Sequence, residues 1–312
     1  MKNNKWFIAV NPISGGDKGK KHWKTISTLL EQMGIEFDYV FSESKGHIIS
    51  LVQKAIENGY RKIIGVGGVG TAHEIVNGIC SQKVVSIDQI TFALIPVGTG
   101  NDWIRTHKIP NNYKKAILLI QAGKTVKQDI GYLTYHTLDN NMPESRYFIN
   151  VAGLGYEAFV AKAVERKKSW LADKLLSNYL LLSAALMYRA RWTNVQIGDE
   201  IREMELYSMS IGVCRYNAGG VLFVPHAVYD DGYLASTLIG KLGIREVFRH
   251  AYRFYNGKIE DHPKVTLSKA KHIHVEALYE KLPTLVEADG EFLGQTPATF
   301  SVLEQQLNVI VP

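Results

Sequence analysis

Along the first third of the chain, apolar residues fall into short, near-continuous, β-branched runs. Longer stretches with helical spacing separate them. The runs predict strands over Lys5–Val10, Phe37–Phe41, Lys62–Val66 and Thr91–Ile95, and the intervening stretches predict helices over Lys18–Met33, Gly46–Asn58 and Thr71–Cys80. Strands apolar at every position suit a parallel sheet covered on both faces, and strand–helix alternation implies right-handed crossovers in a doubly wound sheet. Ligands of such sheets bind beyond the carboxyl ends of the strands. Asn11, Gly67–Thr71 and Gly98–Asn101 each follow a strand and are expected to share one edge.

Beyond residue 125 the pattern changes. Strand-like runs dominate, at Thr125–Leu133, Tyr147–Ala152, Met204–Cys214, Tyr233–Ile239, Val265–Leu267 and Ile273–Ala277, with helices expected around Tyr156–Lys167 and Trp170–Ala190. The fold class expected is α/β: a doubly wound N-terminal domain over 1–125, followed by a mainly antiparallel, sandwich-like β domain over 126–299. The segment from about 300 to 312 returns to the first domain. No linker rich in Gly, Pro or Ser separates the two, so firm packing with a cleft between them is expected.

The densest local signal is Gly65-Val66-Gly67-Gly68-Val69-Gly70-Thr71, where an apolar run enters a glycine turn and a helix begins. Such a turn aims backbone N–H groups and the positive end of a helix at one point, which suits a phosphate. The residues also match the spacing of a dinucleotide fingerprint, with Asp88 at a plausible distance for a ribose contact. That fingerprint belongs on the first strand of its fold, however, and this is the third. A tight turn without a ligand is the plain alternative. Ser14–Lys21 lacks the spacing of a Walker A loop.

Composition narrows the classes. The chain has 312 residues, 46% hydrophobic and 21% charged, as in a globular protein. No run approaches the length of a membrane-spanning helix, and the start, Met1–Pro12, does not read as a signal peptide. Two cysteines far apart, Cys80 and Cys214, argue against a disulfide scaffold or zinc site and fit a reducing cytoplasm. A net charge of +6 favours anionic partners. Nucleic acid is not expected among them, because no polybasic tract or RNA-binding aromatic motif occurs.

A series of motifs in order then points to one family. Asn11-Pro12-Ile13-Ser14-Gly15 resembles an Asn-Pro-x-Ser-Gly first loop. Ser42 stands where a threonine usually precedes Glu-x-x-Gly. The glycine loop resembles Gly-Gly-Asp-Gly-Thr, with Val69 in place of the aspartate. Pro96-Val97-Gly98-Thr99-Gly100-Asn101-Asp102 matches Pro-x-Gly-Thr-x-Asn-Asp. Asn150–Ala158 resembles a Gly-x-Gly segment opening the second domain, Pro225–Tyr233 a Pro-x-Ala…Asp-Gly stretch, and Asp289-Gly290-Glu291 an Asp-Gly-Glu motif. Together they resemble the diacylglycerol kinase catalytic-domain family, related to sphingosine kinases, over nearly the whole chain.

The resemblance implies an ATP-dependent lipid kinase that transfers the γ-phosphate to a lipid hydroxyl. It implies ATP contacts from Asn11, Pro12, Ile13, Ser14, Gly15, Ser42, Gly67, Gly68, Val69, Gly70, Thr71, Ala72, His73 and Thr99. Glu291 is implied as proton acceptor with Asp289 close by, and Mg²⁺ is implied at Asp231 with the carbonyls of Val228 and Tyr233. Read without the family, Ser14, Thr71 and Thr99 are helix caps, and Asp289-Gly290 is a hairpin turn. On a strand, Asp289 and Glu291 would share a face; across a turn they diverge. Val69 neither ligates a metal nor accepts a proton, so the activity expected is impaired unless Glu74, Asp102, Asp289 or Glu291 compensates. The alternative is a catalytically inactive nucleotide- or lipid-binding protein on the same fold. A kinase of the NAD kinase type is disfavoured by the opening loop and the Asp-Gly-Glu motif.

Two basic amphipathic stretches bear on the lipid side. Residues 166–192 read either as an interfacial helix flanked by Trp170 and Trp192 or as a buried helix with snorkelling ends. Lys241, Arg245, Arg249 and Arg253 line one helical face, which suits anionic head groups or plain solvent. The expected location is cytoplasmic, with peripheral contact at an anionic membrane surface. The lipid used is left open, as is pairing into a homodimer.

Overall fold

The computed structural model describes residues 3–98, 101–165, 184, 186–243, 245–247, 249, 253, 258–303 and 306–312. The chain divides into two compact units, Met1–Ile130 with Glu304–Pro312, and Gly131–Leu303.

In chain order the first unit holds β1 (Asn3–Val10), α1 (Ser14–Gln32), β2 (Phe37–Phe41), α2 (His47–Glu57), β3 (Tyr60–Gly67), α3 (Val69–Ser81), β4 (Thr91–Pro96), α4 (Asp102–Thr106), α5 (Tyr113–Ala122) and β5 (Thr125–Gln128). The second holds β6 (Gly131–His136), β7 (Pro143–Phe148), β8 (Val151–Gly155), α6 (Tyr156–Glu165), β9 (Arg191–Ile197), β10 (Glu200–Gly212), β11 (Tyr216–Asn217), β12 (Val221–Leu222), β13 (Leu234–Gly240), β14 (Val265–Ala270), β15 (His272–Ala277), β16 (Leu285–Ala288) and β17 (Glu291–Val302). The chain ends with β18 (Leu307–Ile310), back in the first unit.

The first unit is built on a six-stranded sheet of order β2-β1-β3-β4-β18-β5, parallel except at the β5 edge. Ile8 pairs with Ile64 and Val10 with Val66, so apolar side chains stack in rows across the strands. One face meets Trp23, Ile26 and Leu30 of α1 and Ile117 and Ile120 of α5 in a single buried cluster. These side chains recur three or four residues apart, which places them on one stripe of each helix. Helix α5 was not among the expected helices, although Asn112 caps it by accepting the Lys115 N–H at 3.0 Å and Gly123 closes it at φ 71°. Because β1 connects outward to β2 and β3 lies on its other side, the strand order reverses between β1 and β3, where such sheets bind ligands.

The second unit is antiparallel. Its strands run β14-β13-β10-β8-β16-β17-β15-β9, and β9 returns to pair with the first half of β10, so that six strands form a closed ring. The 13-residue β10 makes this closure by pairing with β9 through Leu206 and with β8 from Ser208 onward.

Two expected elements change. Thr125–Leu133 is not one strand. It breaks at Asp129 and Ile130, where the chain leaves one sheet for the other, and the buried Asp129 takes a hydrogen bond from Gln306 at 2.8 Å. Tyr147–Ala152 also breaks, because the N–H groups of Ile149 and Asn150 donate to the Asp289 carboxylate instead of to a neighbouring strand. The expected helix around Trp170–Ala190 lies mostly outside the described residues, among which Ala184, Leu186 and Met187 are helical and Trp192 follows them in β9. Of the helical face expected from Lys241 to Arg253, Arg245, Arg249 and Arg253 are helical, whereas Lys241 precedes the helical residues and pairs with Glu205 at 3.0 Å. No described helix is long and apolar enough to cross a membrane.

Candidate functional site

Three turns at the carboxyl end of the parallel sheet lie against one another. Asn11, just past β1, donates from its side-chain amide to the Thr71 hydroxyl at 3.2 Å. Its backbone N–H donates to the Val66 carbonyl at 3.0 Å. Ser14 donates its hydroxyl to the Val97 carbonyl at 3.4 Å, and the Val97 N–H donates to the Gly67 carbonyl at 2.8 Å. At Gly15 the backbone has φ 65°, and a Cβ there would stand 3.0 Å from the Gly98 α-carbon, so only glycine admits this approach. A Cβ at Gly68 would stand 2.9 Å from Asn101 Oδ1. The buried Asn101 amide nitrogen has no hydrogen-bond partner. Thr99 lies outside the described residues.

Each of the other expected contacts has a place in this unit. Ser42 is buried beside the end of β1, its N–H on the Val10 carbonyl at 2.9 Å. Pro12 accepts the Lys20 N–H at 3.0 Å, and Ile13 is exposed. Gly68 precedes α3, whose first residues Val69, Gly70 and Thr71 present the unsatisfied N–H groups of a helix start. Ala72 and His73 are buried on α3, with Asn77 beside the His73 ring at 3.3 Å, so they back the turn instead of facing outward with it. The capping reading of Ser14 and Thr71 fails: Ile13 and Gly68 stand at the cap positions, and neither helix has a side-chain cap.

Val69 opens α3, half-buried. Two acids proposed to stand in for its missing carboxylate are already committed. Glu74 accepts the N–H groups of Gly46 at 2.9 Å and Ile48 at 3.1 Å, which anchors the start of α2. Asp102 is buried and paired with Arg105 at 3.4 Å.

In the second unit, Asp289 and Gly290 form the two-residue loop of the β16–β17 hairpin, with φ 52° and 84°, and Ala288 pairs with Glu291 across it. Two positive φ values mark the turn that suits the twist of such a hairpin. Asp289 therefore leaves the ladder that Glu291 begins, and the two share no strand face. The Asp289 carboxylate accepts from Ile149 N–H at 3.0 Å and Asn150 N–H at 2.9 Å, and its own N–H donates to the Val151 carbonyl at 2.9 Å. It fastens the hairpin to the start of β8.

The residues expected to hold Mg²⁺ do not fit it as they stand. Asp231 Oδ2 is 2.5 Å from the Lys269 ammonium, and Oδ1 accepts the Tyr233 N–H at 3.1 Å, so a positive group already neutralises this carboxylate. Among the described residues, no group of three or more His, Cys, Asp or Glu side chains is gathered for a metal.

Two acids absent from the sequence reading stand out. Glu157 of α6 and Glu287 of β16 are 8% and 2% exposed. Burial pushes the Glu157 carboxyl up to about 7, against the hydroxyls of Ser210 and Ser208 and the Asn217 amide, which favour its charged form. Burial, then the neighbouring Glu157, pushes Glu287 well above the usual carboxylate range, although the Gly290 N–H donates to it at 2.8 Å. The sequence signal was their position within the Gly-x-Gly and Asp-Gly-Glu stretches.

Residues 5–133 match the family described as diacylglycerol kinase catalytic domain, and residues 150–311 match the YegS C-terminal NAD kinase beta sandwich-like domain. A diacylglycerol kinase of Staphylococcus epidermidis is 30% identical over 98% of this chain and 91% of its own length. A crystal structure from Bacillus anthracis str. Sterne, titled as a candidate diacylglycerol kinase, superposes with a TM-score of 0.77 at 25% identity, covering all of this chain and 96% of that one. Yeast NADH kinase complexed with NADH shares the fold more distantly, with a TM-score of 0.56 at 10% identity over 99% of this chain and 83% of that one.

Proposed function

Because the chain belongs to the diacylglycerol kinase catalytic-domain family, we propose that it binds ATP on the first unit and phosphorylates a lipid hydroxyl, diacylglycerol-like in kind, with a rate limited by Val69. The observation that carries this reading is the meeting of the turns after β1, β3 and β4 at the start of α3. Phosphoryl transfer depends on positioning and charge neutralisation more than on covalent chemistry, and backbone N–H groups at a helix start supply both.

In this reading the ATP contacts run through Asn11, Pro12, Ile13, Ser14, Gly15, Ser42, Gly67 to His73, and Thr99. Glu291 accepts the proton that the lipid hydroxyl loses as it attacks. Asp289, engaged by two N–H groups, positions Glu291 by fixing the hairpin that carries it. Magnesium enters as part of the nucleotide substrate, and no step is assigned to Asp231. Lipid access is from an anionic membrane surface.

Val69 also supports a second reading, in which the chain binds nucleotide or lipid without turnover. Loss of a placed acid typically costs ~10²–10⁴ in rate, enough to silence a slow enzyme. Calorimetric titration with ATP and transfer to diacylglycerol in mixed micelles separate the two. Binding with measurable lipid phosphate supports the kinase. Binding without any, across a panel of lipid alcohols, leaves the second reading. Failure to bind ATP removes both in their nucleotide form.

A further inference from the structure

Of the sixteen large apolar side chains exposed among the described residues, six fall in two short segments of the second unit. Leu186, Met187 and Trp192 lie just ahead of β9 and at its start, and Leu278, Tyr279 and Leu282 lie in the loop from β15 to β16. The two segments are neighbours. Ala277 pairs with Thr193, the Leu278 N–H donates to the Trp192 carbonyl at 3.0 Å, and the Thr193 and Thr284 hydroxyls stand 3.2 Å apart. Along β9 the side chains of Thr193 and Val195 are buried, so Trp192 belongs to the outer face, and Leu278 stands beside it there. A turn closed by the Leu282 N–H on the Tyr279 carbonyl at 2.9 Å holds the other two beyond the strand ends. Single exposed apolar residues are ordinary, whereas a contiguous group marks a surface that meets something other than water.

The charges around the group select what it meets. Within the two segments the charged residues are Arg189, Arg191 and Lys281 against the single acid Glu280. Glu205, opposite Trp192 on β10, is already paired with Lys241 at 3.0 Å. The patch is therefore apolar with a positive rim. A second copy would set like charge against like, which disfavours self-pairing, whereas an anionic surface complements the rim. We propose that this patch docks on the anionic interface of a lipid bilayer. Met187, Leu278 and Leu282 enter the acyl boundary. Trp192 and Tyr279, each a ring with one polar edge, sit at head-group level, and Arg189, Arg191 and Lys281 extend toward lipid phosphates. Trp192 acts here from a strand, and the loop from 278 to 282, which no sequence motif marks, supplies half of the apolar surface. The inference deepens the lipid-kinase reading by naming the face that meets the bilayer, and it rests on that reading for the reason a bilayer is approached.

The test is co-sedimentation with vesicles of equal parts phosphatidylcholine and phosphatidylglycerol, and with vesicles of phosphatidylcholine alone. Wild-type protein is compared with the double variant Tyr279→Ser and Leu282→Ser, with Lys281→Gln, and with a control double variant, Val84→Ser and Leu118→Ser, whose side chains are equally exposed on the first unit. All these side chains are exposed, so the variants keep the packed interior intact. The result expected is binding to the mixed vesicles that falls at least tenfold in the loop double variant and several-fold in Lys281→Gln, holds in the control, and is much weaker on phosphatidylcholine alone. The proposal is overturned if wild-type protein stays in the supernatant, if the loop double variant binds as wild type does, or if the control weakens binding equally. It is also overturned if wild-type protein sediments as a dimer that the loop double variant dissolves, which makes the patch an interface between copies. Phosphate transfer to diacylglycerol in the mixed vesicles is scored separately. Patch-dependent binding with no transfer sinks the kinase reading and leaves the docking surface. Transfer that the loop double variant carries out at the wild-type rate does the reverse.

Discussion

Asn11 and Thr71, sixty residues apart, are joined by a hydrogen bond of 3.2 Å from side-chain amide to hydroxyl. The bond ties the turn after β1 to the start of α3 at the point where the strand order reverses. It explains why an Asn-Pro turn and a Gly-Thr turn occur together: each alone is a loop, and together they face one small volume with N–H and hydroxyl groups.

Gly15 tests how close those turns must be. Gly15→Ala places a methyl 3.0 Å from the Gly98 α-carbon at a positive φ. A left-handed non-glycine residue costs about 1–2 kcal/mol. Urea unfolding is expected to show a loss of that order, and calorimetry a drop of tenfold or more in ATP affinity. Unchanged ATP affinity would separate this turn from the nucleotide.

Asp289→Asn removes one of two acceptors for the Ile149 and Asn150 N–H groups. Hydrogen bonds to a charged group are worth about 1.5–3 kcal/mol, so a stability loss of about 2 kcal/mol is expected. Because Asp289 lies in the second unit, ATP affinity should hold while transfer falls.

Much of this was legible in the sequence, and for a local reason. Short β-branched runs ending at Asn11, Gly67 and Pro96 announce parallel strands and their turns without help from distant residues. The Asn112 and Gly123 boundary signals of α5 were equally local and went unused. What stayed hidden depends on partners far away. The break at Ile149 and Asn150 is made by a carboxylate about 140 residues on. Glu157 and Glu287 become a buried pair only when β8 and β16 pair Gly153 with Glu287. The family resemblance implied a metal at Asp231, and its neutralising partner Lys269, 38 residues away, is not visible from the motif.

Glu157 makes stability depend on pH with a definite sign. Its folded-state carboxyl is raised to about 7 from an ordinary 4.5, so the folded chain binds more protons between these values. Stability from this group is full below pH 4.5 and is lost as pH rises through 7, by on the order of 3 kcal/mol. Glu157→Gln should flatten that part of the profile measured by urea unfolding from pH 4.5 to 8. An unchanged slope would mean the carboxyl is solvated.

His107 acts in the opposite direction. It is buried against Gln128 at 2.6 Å, and burial lowers its ring to about 4 from 6.5. Its contribution is full above pH 6.5 and is lost as pH falls toward 4, again by on the order of 3 kcal/mol. Because Trp103 also donates to Gln128 Oε1, at 2.9 Å, His107 Nε2 carries the proton of this bond. His107→Phe should remove acid sensitivity in that range, whatever its effect at neutral pH.

The most direct measurement is transfer of the γ-phosphate from ATP to diacylglycerol in mixed micelles by wild-type protein and Val69→Asp, side by side in magnesium. Restoring a carboxylate at the start of α3 should raise the rate at least tenfold with little change in ATP affinity. Full activity in the wild type, or ATP binding without lipid phosphate from either form, would contradict the account.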